Sequence, residues 1–449
     1  MRTSVFLIAL ALGAVLRLAA FPLRGTEDVG SWKIWAYAAS ADPTAVYGVG
    51  GTPPTRGVVA WGTAQTTVDY PPVALYVLAA IGQAYRAWDP QFRDGPALLA
   101  FLKIPGLVCA ALLSTLLFAV VRRETGDRSA ARWAALAFWI NPALVLNGEA
   151  LGYLDPWMML PAMLALLSAW RGAAVLAGAL TVIAAATKPQ GLLIVPMIAV
   201  ALWASGRWPA FARAAVGGAG AAALILLPFA LRGSLGNMWL AFGAFYGRRD
   251  ALSALAANLW WIANWALRVQ FYAAEVGLAT AVRLTPRILS ITRFREIGYP
   301  NPRPFATGLV LAVVAWACFV ARRTRELAVL ALVGSFTVHA FFMFSVGVHE
   351  HHMVLAVPLL GLAAALRPAC RPLFYLTSLI VALNMNLFYG ISLGAGWAVP
   401  RGITGIDLSV VLSVVNLFAL GWHARVLARE ARETVVRASS LPVLTSRRA

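Results

Sequence analysis

Ionisable side chains gather at a few points of a chain that is otherwise strongly apolar. Three of the five histidines fall in "VHEHH" (348–352), on either side of Glu350. Imidazole is the commonest metal ligand near neutral pH, and an imidazolium can also stabilise an anion. Because His349 and His351 are two positions apart, one helical face cannot present both. The spacing favours anion binding by His349, His351 and His352 over a metal site, with a plain helix start in the membrane interface as the remaining alternative.

Two acidic residues, Glu27 and Asp28, follow the first apolar segment in "GTEDVGSW" (25–32). A carboxylate beside an enclosed site can deprotonate a hydroxyl, so either residue could act as a general base. Acids at a helix start are also common for structural reasons, because they stabilise the helix N-terminus. Trp32 and Trp35 follow on the same predicted short helix, where an indole could bind the face of a sugar ring.

A lone lysine, Lys188, ends an apolar segment in "TKPQ" (187–190). Snorkelling of its side chain to the membrane surface is the structural explanation. An ionisable residue at a membrane edge is also a functional candidate, and here it could neutralise a phosphate together with the histidines. Arg248 and Arg249, in "YGRRD", are second candidates for that role.

A tight connection, "NGEALGYLD" (147–155), carries two further acids, Glu149 and Asp155. A hairpin loop between membrane spans needs polar residues in any case. These two carboxylates are therefore as well explained by solvation as by a binding site.

The elements that must position these side chains are membrane helices. The chain has 449 residues, of which 61% are hydrophobic and 12% charged, and its mean hydropathy is +0.75. A soluble globular protein carries about twice that charged fraction. Apolar runs of about 17–25 residues recur from end to end, and each is long enough to cross ~30 Å of hydrocarbon. Because the runs are continuous rather than alternating, they predict an all-α polytopic membrane protein and exclude a barrel.

The net charge of +19 comes from arginines that lie mostly in short loops. That distribution indicates membrane topology, and nucleic acid is not an expected partner. The isolated cysteines Cys109, Cys318 and Cys370 make neither a CxxC pair nor a disulfide framework. The first apolar segment (4–21) lacks a clear small-residue cleavage site and is predicted to stay as the first helix.

The arginines also orient the chain. With the N-terminus in the cytoplasm, about 12 spans place "RRETGDRSAAR" (122–132), "RRTR" (322–325) and the basic tail on the cytoplasmic side, as the positive-inside rule requires. Two amphipathic helices of the first outer loop are predicted to lie in the interface, because counting the second (72–87) as a span would invert every later loop. The predicted spans are 4–21, 98–121, 133–147, 156–170, 172–187, 190–204, 214–231, 305–321, 327–347, 352–366, 372–389 and 405–421.

This threading puts the acidic and histidine stretches on the same, outer face. It divides the chain into a first transmembrane half (1–231), whose first outer loop (23–96) carries the acidic site, a large outer loop (232–304), a second transmembrane half (305–423) and a basic cytoplasmic tail (424–449). No internal repeat is visible in the sequence, which argues against an inverted-repeat transporter.

Six short stretches together resemble a known family. They are "DVGSWKIW" (28–35), "DYPPVALY" (69–76), "NPALVLNGEALGYLD" (141–155), "KPQ" (188–190), "ANLWW" (257–261) and "VHEHH" (348–352). In their order and places they resemble the GT-C class of membrane glycosyltransferases, and most strongly the dolichyl-phosphate-glucose-dependent glucosyltransferases of the N-glycan pathway. The chain departs from that family in three ways: His351 stands where the family has Lys, the acidic pair reads Glu-Asp, and the family has one or two more spans.

The resemblance implies an inverting glycosyltransferase at the outer face of a bacterial plasma membrane. It would move a hexose from an undecaprenyl- or decaprenyl-phosphate carrier to a hydroxyl of a glycan, lipid or protein acceptor, among membrane lipids. A fixed half would hold the acid and a variable half the donor lipid and acceptor. Asp28 would be the general base, with Glu27 as the alternative. No metal or other cofactor is expected, because no acidic cluster has the ligand spacing that Mg²⁺ or Mn²⁺ requires.

The resemblance and the local chemistry together assign two sets of binding residues. The residues expected to bind the donor's phosphate and lipid are His349, His351, His352, Lys188, Arg248 and Arg249. The residues expected to contact substrate or acceptor are Trp32, Trp35, Asp69, Tyr70, Glu149, Tyr153, Asp155, Gln190, Asn258, Trp260 and Glu350. Glucose, mannose, galactose and arabinose remain open as the transferred sugar.

Two other classes of function use the same charges. A transporter or flippase for a lipid-linked sugar would bind the headgroup with them, but such proteins tend to place charges at mid-membrane and to pair broken helices. A structural partner in an envelope-polymer assembly could retain the same residues without activity. The concentration of charges at one face favours the enzyme.

Overall fold

The structure is a computed structural model that describes residues 2–48, 57–248, 250–393, 397–402 and 405–440, without the side chains of 244–248, 435 and 437–440. Up to residue 232 its elements are α1 (Thr3–Ala19), α2 (Asp28–Ala39), β1 (Val58–Trp61), β2 (Ala64–Thr67), α3 (Pro72–Trp88), α4 (Pro96–Thr125), α5 (Arg128–Trp139), α6 (Pro142–Val145), α7 (Asp155–Trp170), α8 (Ala174–Thr187) and α9 (Val195–Arg232). Beyond it they are α10 (Leu235–Arg248), α11 (Leu259–Val276), α12 (Leu278–Ala281), α13 (Ile291–Glu296), α14 (Pro302–Ala321), α15 (Leu327–Phe344), α16 (Ala356–Leu366), α17 (Arg371–Tyr389) and α18 (Leu408–Ser440).

The helices confirm a helical membrane protein. Among the described residues, six helical stretches are long and apolar enough to cross a membrane, and three shorter helices are apolar along their length. The six are Pro96–Thr125, Pro189–Arg232, Pro302–Ala321, Leu327–Phe344, Pro368–Tyr389 and Leu408–Thr434, and the shorter ones are Thr3–Ala19, Ala174–Thr187 and Ala356–Leu366. The count of twelve spans and the interfacial position of the outer-loop helices stay predictions.

Prolines and polar caps set helix ends that the hydropathy pattern could not locate. The predicted span at 133–147 is broken, because α5 ends at Trp139, before Asn141 and Pro142. A residue that precedes proline disfavours the helical conformation. The Asn141 side chain then accepts a hydrogen bond from the backbone N–H of Ala143 and starts α6, which a π-helical turn (Leu146–Ala150) follows.

The two spans predicted at 190–204 and 214–231 form two helical parts of α9 that meet at a kink. A short 3₁₀ turn (Pro189–Ile194) precedes α9, whose backbone leaves the helical region at Arg207 (φ 49°, ψ −136°). The kink falls in the stretch that the sequence predicted as a short connection. The two predicted segments are therefore present, but the chain passes between them without a separate loop.

A small antiparallel hairpin, β1–β2, departs from the all-α prediction for the first outer loop. Val58 pairs with Thr67 and Trp61 with Ala64, so only two residues form the turn. Gly62 has a φ of 62°, which suits the first position of a tight hairpin loop. The segment is too short and mixed to show a clear alternating pattern in the sequence.

Two apolar clusters hold the helices together. The larger one centres on α15 and α16, whose side chains are almost all buried against α5, α9, α14, α17 and α18. The smaller one joins α2, α3, the start of α4 and the end of α9. Gly82 lets α3 approach α2 closely, because a Cβ there would lie 2.1 Å from the carbonyl oxygen of Ala36. This contact fixes α2, the helix that begins at Asp28.

Candidate functional site

A cavity of about 630 Å³ lies between the first outer-loop segment and the segment that follows α15. It collects nine of the residues that the sequence predicted for a site, although His352 lies 324 positions after Asp28 in the chain. The nine are Asp28, Trp32, Trp35, Asp69, Tyr70, Gln190, His349, His351 and His352. We call Asp28, Trp32, Trp35, Asp69 and Tyr70 the acidic wall, and Gln190, Arg303, His349, His351 and His352 the histidine wall.

The acidic wall is carried mainly by α2. This helix begins at Asp28, and residues at positions 28, 32 and 35 share one helical face, so all three can line the cavity. The chain enters α2 through Gly25, which has a φ of 79° and whose N–H donates to Ser392 Oγ at 2.9 Å. The Asp28 side chain is exposed, whereas the two indoles are buried.

Aromatic packing makes the floor of the acidic wall rigid. The Trp32 ring centroid lies 4.8 Å from those of both Trp35 and Tyr70, and the Trp35 and Tyr70 centroids are 5.5 Å apart. Both tryptophans are 2% exposed, and within the described chain neither indole N–H makes a hydrogen bond. Only a small part of each ring therefore remains for contact with a sugar.

The three histidines of the histidine wall lie in consecutive turns between α15 and α16. Gly347 (φ 66°) reverses the chain, and its N–H and that of Ala254 join this segment to residues 252–254 through Leu252 O and Val348 O. The N–H of His352 then donates to His349 O, which draws the three rings together. Ring centroids are 4.7 Å apart for His351 and His352, 5.3 Å for His349 and His352, and 6.0 Å for His349 and His351.

Glu350 lies behind this wall rather than on it. Its side chain is fully buried, Oε1 accepts a hydrogen bond from the Tyr153 hydroxyl (2.5 Å), and Oε1 also shares a hydrogen bond with His351 Nδ1 (2.9 Å). The Tyr153 ring also stacks on the His351 imidazole, with centroids 3.9 Å apart. Burial raises the pKa of Glu350, against the lowering effects of His349, the Tyr153 hydrogen bond and Lys188. Glu350 and Tyr153, which the sequence assigned to substrate contact, instead support His351.

Lys188 and Asp155 form a buried ion pair, and Lys188 Nζ lies 5.9 Å from the centroid of the Tyr153 ring. Lys188 Nζ lies 2.6 Å from Asp155 Oδ1, both side chains are 2% exposed, and Asn147 donates to Asp155 Oδ2 at 3.1 Å. Burial alone would raise the pKa of Asp155, but the charge of Lys188, His351 and the two hydrogen bonds outweigh it and lower that pKa. Neither residue lines the cavity, so the role predicted for Lys188 at a phosphate has no direct contact to rest on.

Glu149 is likewise engaged inside the protein. Its Oε1 pairs with Arg17 at 2.5 Å, and both groups are buried. Arg17 also donates to Trp139 O, so the pair joins α1 to the π-helical turn. Burial raises the pKa of Glu149, in opposition to Arg17. Glu149 therefore does not line the cavity, and its contact with substrate stays a prediction.

Asn258 and Trp260 fasten the segment 232–304 to α15. Asn258 caps α11 through Trp261 N, and its amide donates to Phe342 O at 3.1 Å. The Trp260 indole donates to Phe344 O at 2.6 Å. Both residues of "ANLWW" hold the scaffold and lie away from the cavity lining.

Two asparagines that the sequence did not single out hold the residue before that cap. Asn384 Oδ1 accepts from Ala257 N at 3.0 Å while its amide donates to Glu350 O at 2.8 Å. Asn416 donates to Ala257 O at 2.9 Å. Both backbone groups of Ala257 are thus satisfied from α17 and α18, and Asn384 connects the outer loop directly to the histidine wall.

The remaining predicted residues fall outside the cavity or outside the description. Glu27 immediately precedes α2, is exposed and does not line the cavity. Arg248 ends α10 and its side chain is not described, and Arg249 lies outside the described residues. Residues that line the cavity but were not predicted there include Ser31, Thr66, Thr67 and Arg303. Arg303 is one of several arginines of the large outer loop, and no local pattern distinguishes it.

Across the cavity, an acid-rich surface faces a surface that carries Arg303 and the hydrogen-bonding imidazoles. A carboxylate such as Asp28 can take a proton from a hydroxyl, and imidazoles with Arg303 can bind an anion. No group of three or more His, Cys, Asp and Glu side chains in the described part of the chain is arranged to hold a metal ion.

Comparison of the chain with protein-family models gives no match, and neither does comparison with the curated proteins.

Proposed function

We propose that the protein is an inverting glycosyltransferase, which moves a hexose from a polyprenyl-phosphate carrier to an acceptor hydroxyl. The observation that carries this proposal is the cavity between the two walls. It joins Asp28 to His349, His351 and His352 across most of the chain, and these residues belong to the first and last of the motifs that resemble GT-C enzymes.

The two walls have different roles in the reaction. Asp28 accepts the proton of the acceptor hydroxyl as its oxygen attacks the anomeric carbon, with Glu27 as the alternative base. A new carbon–oxygen bond forms on one face of the sugar while the bond to the phosphate oxygen breaks on the other, so the configuration inverts. The departing lipid phosphate keeps the bonding electron pair, and the histidine wall, with Arg303, stabilises its charge.

The size and lining of the cavity suit this substrate. Sites for small ligands commonly measure about 300–1,000 Å³, and about 630 Å³ is in that range. Phe341, Leu192, Leu193 and Ala306 add apolar surface beside the histidine wall. A phosphate attached to an isoprenoid needs this juxtaposition of an anion-binding surface with an apolar one.

The proposal includes a topology. The chain would cross the membrane twelve times, with two interfacial helices in loop 23–96. The first half (1–231) would hold the acid and the second half (305–423) the donor, and the cavity would lie at the outer face of a bacterial plasma membrane. Membrane-impermeant maleimide would label Thr63→Cys in intact cells and Arg123→Cys only after permeabilisation. The opposite pattern would overturn this orientation.

The activity is tested with purified protein and short-chain polyprenyl phosphates carrying glucose, mannose, galactose or arabinose. Release of polyprenyl phosphate, by hydrolysis or transfer, supports the proposal and identifies the sugar. EDTA should leave the rate unchanged, and EDTA-sensitive activity would contradict the metal-independent mechanism. If no donor reacts, movement of the same lipids across a vesicle membrane would favour the flippase instead.

A further inference from the structure

The Glu350–His351 pair is a buried acid in contact with an imidazole that borders the cavity. Glu350 Oε1 lies 2.9 Å from His351 Nδ1, and its side chain is fully buried. Glu350 Oε2 is also buried and makes no hydrogen bond within the described part of the chain. Its contact with His349 Nδ1 measures 3.9 Å, beyond hydrogen-bond distance.

Contacts from several sides fix the position of the His351 ring. Tyr153 stacks on one face at 3.9 Å, the His352 ring meets it edge-on at 4.7 Å, and Glu350 holds Nδ1. Asn384 in turn holds the backbone oxygen of Glu350 at 2.8 Å. With Nδ1 turned inward to the carboxylate, Nε2 is the nitrogen that the imidazole can present to the cavity.

The number of protons that Glu350 and His351 hold together decides whether His351 Nε2 can donate a hydrogen bond. An ionised carboxylate beside a neutral imidazole would leave a net negative charge in a fully buried place, which is costly. A neutral pair carries one more proton: either a carboxylic acid faces a neutral ring, or a carboxylate faces an imidazolium. A proton on Oε2 would be a buried donor without an acceptor, so one proton lies in the Oε1–Nδ1 hydrogen bond in both arrangements and Nε2 carries the other.

Charged and titratable groups face this pair from each neighbouring element. Lys188 and Asp155 form a neutral ion pair beneath it, and burial raises the pKa of Tyr153 well above its usual range, so its hydroxyl stays a donor. His349 and His352 come from the same turn. The other titratable groups that act on Tyr153 are Tyr389, on α17, and Asp28, across the cavity. Of these groups His349 favours the ionised form of Glu350, and the burial of the carboxyl group opposes it.

We propose that Glu350 is a positioning residue that shares its titration with His351 and makes His351 Nε2 a fixed N–H donor for a phosphate oxygen in the cavity. This inference rests on the proposed function for its ligand, and it specifies how the histidine wall recognises that ligand. The wall would offer a directed hydrogen bond at His351, with the charge-bearing part of recognition left to Arg303 and the other imidazoles. The donor is lost when the pair gives up a proton, so phosphate binding should weaken as the pH rises.

Histidine-selective ¹⁵N labelling tests the protonation state without requiring activity. Five ring systems are present, and His351→Asn identifies the one that belongs to residue 351. At pH 7 the Nε2 signal of His351 should be that of a protonated nitrogen. A non-protonated Nε2 at pH 7 in the full-length protein would overturn the proposal.

Glu350→Leu removes the partner of Nδ1 and tests the positioning role. Its His351 spectrum should become a mixture of tautomers, and binding of farnesyl phosphate should weaken by about 10-fold, the usual loss for a hydrogen bond to a charged group. The ring signals of His339 and His423 serve as the internal control, because those rings contact each other inside the bundle. Unchanged control signals show that the variant has folded, and an unchanged His351 tautomer in that protein would overturn the role of Glu350.

A comparison of two ligands distinguishes a lipid phosphate from free phosphate. Farnesyl phosphate should shift the Nε2 signal of His351 at lower concentration than inorganic phosphate if the lipid is recognised, whereas equal effects would identify a site for free phosphate. A protonated Nε2 in a protein that turns over none of the sugar donors would refute the proposed transferase and leave the donor role of His351 standing. Failure of both phosphates to shift that signal would instead overturn the assigned ligand.

Discussion

The two walls of the cavity are built in opposite ways. On the acidic wall the exposed Asp28 stands at the first turn of α2, in front of tightly packed aromatic rings. On the histidine wall the rings cover buried charges, with Glu350 behind His351 and the Lys188–Asp155 pair below. On the acidic wall the candidate catalytic group is therefore not part of the packed cluster, whereas on the histidine wall His351 belongs to both the binding surface and the buried network.

This difference predicts how each wall responds to substitution. An exposed carboxylate can be replaced by an amide of the same shape without leaving a cavity or a buried charge. A member of a buried network leaves its partner unsatisfied, which is costly. Changes at Asp28 should thus affect mainly activity, and changes behind the histidine wall should affect folding as well.

The largest effect on activity is expected for Asp28→Asn. Loss of general-base catalysis typically slows a reaction about 10²–10⁴-fold, and turnover of the sugar donor should fall by that factor. The thermal unfolding temperature should change little, because Asp28 is exposed and an acid at a helix start contributes only about 0.3–1 kcal/mol. Rates and unfolding curves measured on the same preparation check both parts.

Asp94→Asn is the matched control for that substitution. Asp94 is an exposed carboxylate that pairs with Lys33 of α2, away from the cavity lining, and should be silent in turnover. Glu27→Gln distinguishes the alternative base. Full activity of both Asp28→Asn and Glu27→Gln would contradict a catalytic carboxylate at this helix start.

The largest effect on stability is expected for Lys188→Met. It leaves Asp155 buried and ionised without its partner, which typically costs about 3–5 kcal/mol. The double variant Lys188→Met/Asp155→Leu removes both charges and should recover most of that loss. Denaturant unfolding in detergent measures the three proteins, and a double variant as unstable as the single one would show that the pair is not the cause.

The residues of the acidic wall could be predicted well from the sequence. Asp28, Trp32 and Trp35 are spaced so that one helical face carries them, and helical spacing is a local property. The histidine wall was also visible, because its rings are neighbours in "VHEHH". The residues behind the histidine wall could not be predicted, because a run of turns has no periodicity that shows which side chain points inward. The partner of Glu350 is Tyr153, which lies in another hairpin.

The other two histidines illustrate the same limit. His339 and His423 are 84 positions apart, yet their Nδ1 atoms lie 3.3 Å apart inside the bundle. Asn416 and Ser335 satisfy the outer nitrogens at 2.9 Å and 3.1 Å. Helix packing creates this cluster, so the sequence shows two isolated residues. A histidine cluster alone does not make a site, since this one is closed by neutral partners.

The two buried carboxylates behind the histidine wall should oppose each other in their pH dependence. The folded-state pKa of Asp155 is lowered, so its contribution to stability is present above about pH 3.9, its unfolded value, and is lost as the pH falls further. The folded-state pKa of Glu350 is raised, so its contribution is present below about pH 4.3 and is lost as the pH rises through the folded value.

Unfolding temperatures between pH 3 and pH 8 test this opposition. Asp155→Asn should flatten the acid side of the wild-type curve, and Glu350→Gln should flatten the side where stability declines with rising pH. The slopes of the curves are compared rather than their heights, because Asp155→Asn also leaves the buried Lys188 without its counter-charge. Parallel curves for wild type and both variants would show that these carboxylates do not control the pH dependence.

The smallest effect is expected for the ion pair on the solvent side of α2. Lys33 Nζ lies 2.6 Å from Asp94 Oδ1, with the two side chains 19% and 59% exposed. Pairs exposed to solvent contribute less than about 1 kcal/mol, so Lys33→Ala should leave stability nearly unchanged, unlike the equally short Lys188–Asp155 contact. A loss in Lys33→Ala comparable to that in Lys188→Met would mean that distance, rather than burial, governs these pairs, and would remove the distinction between the walls.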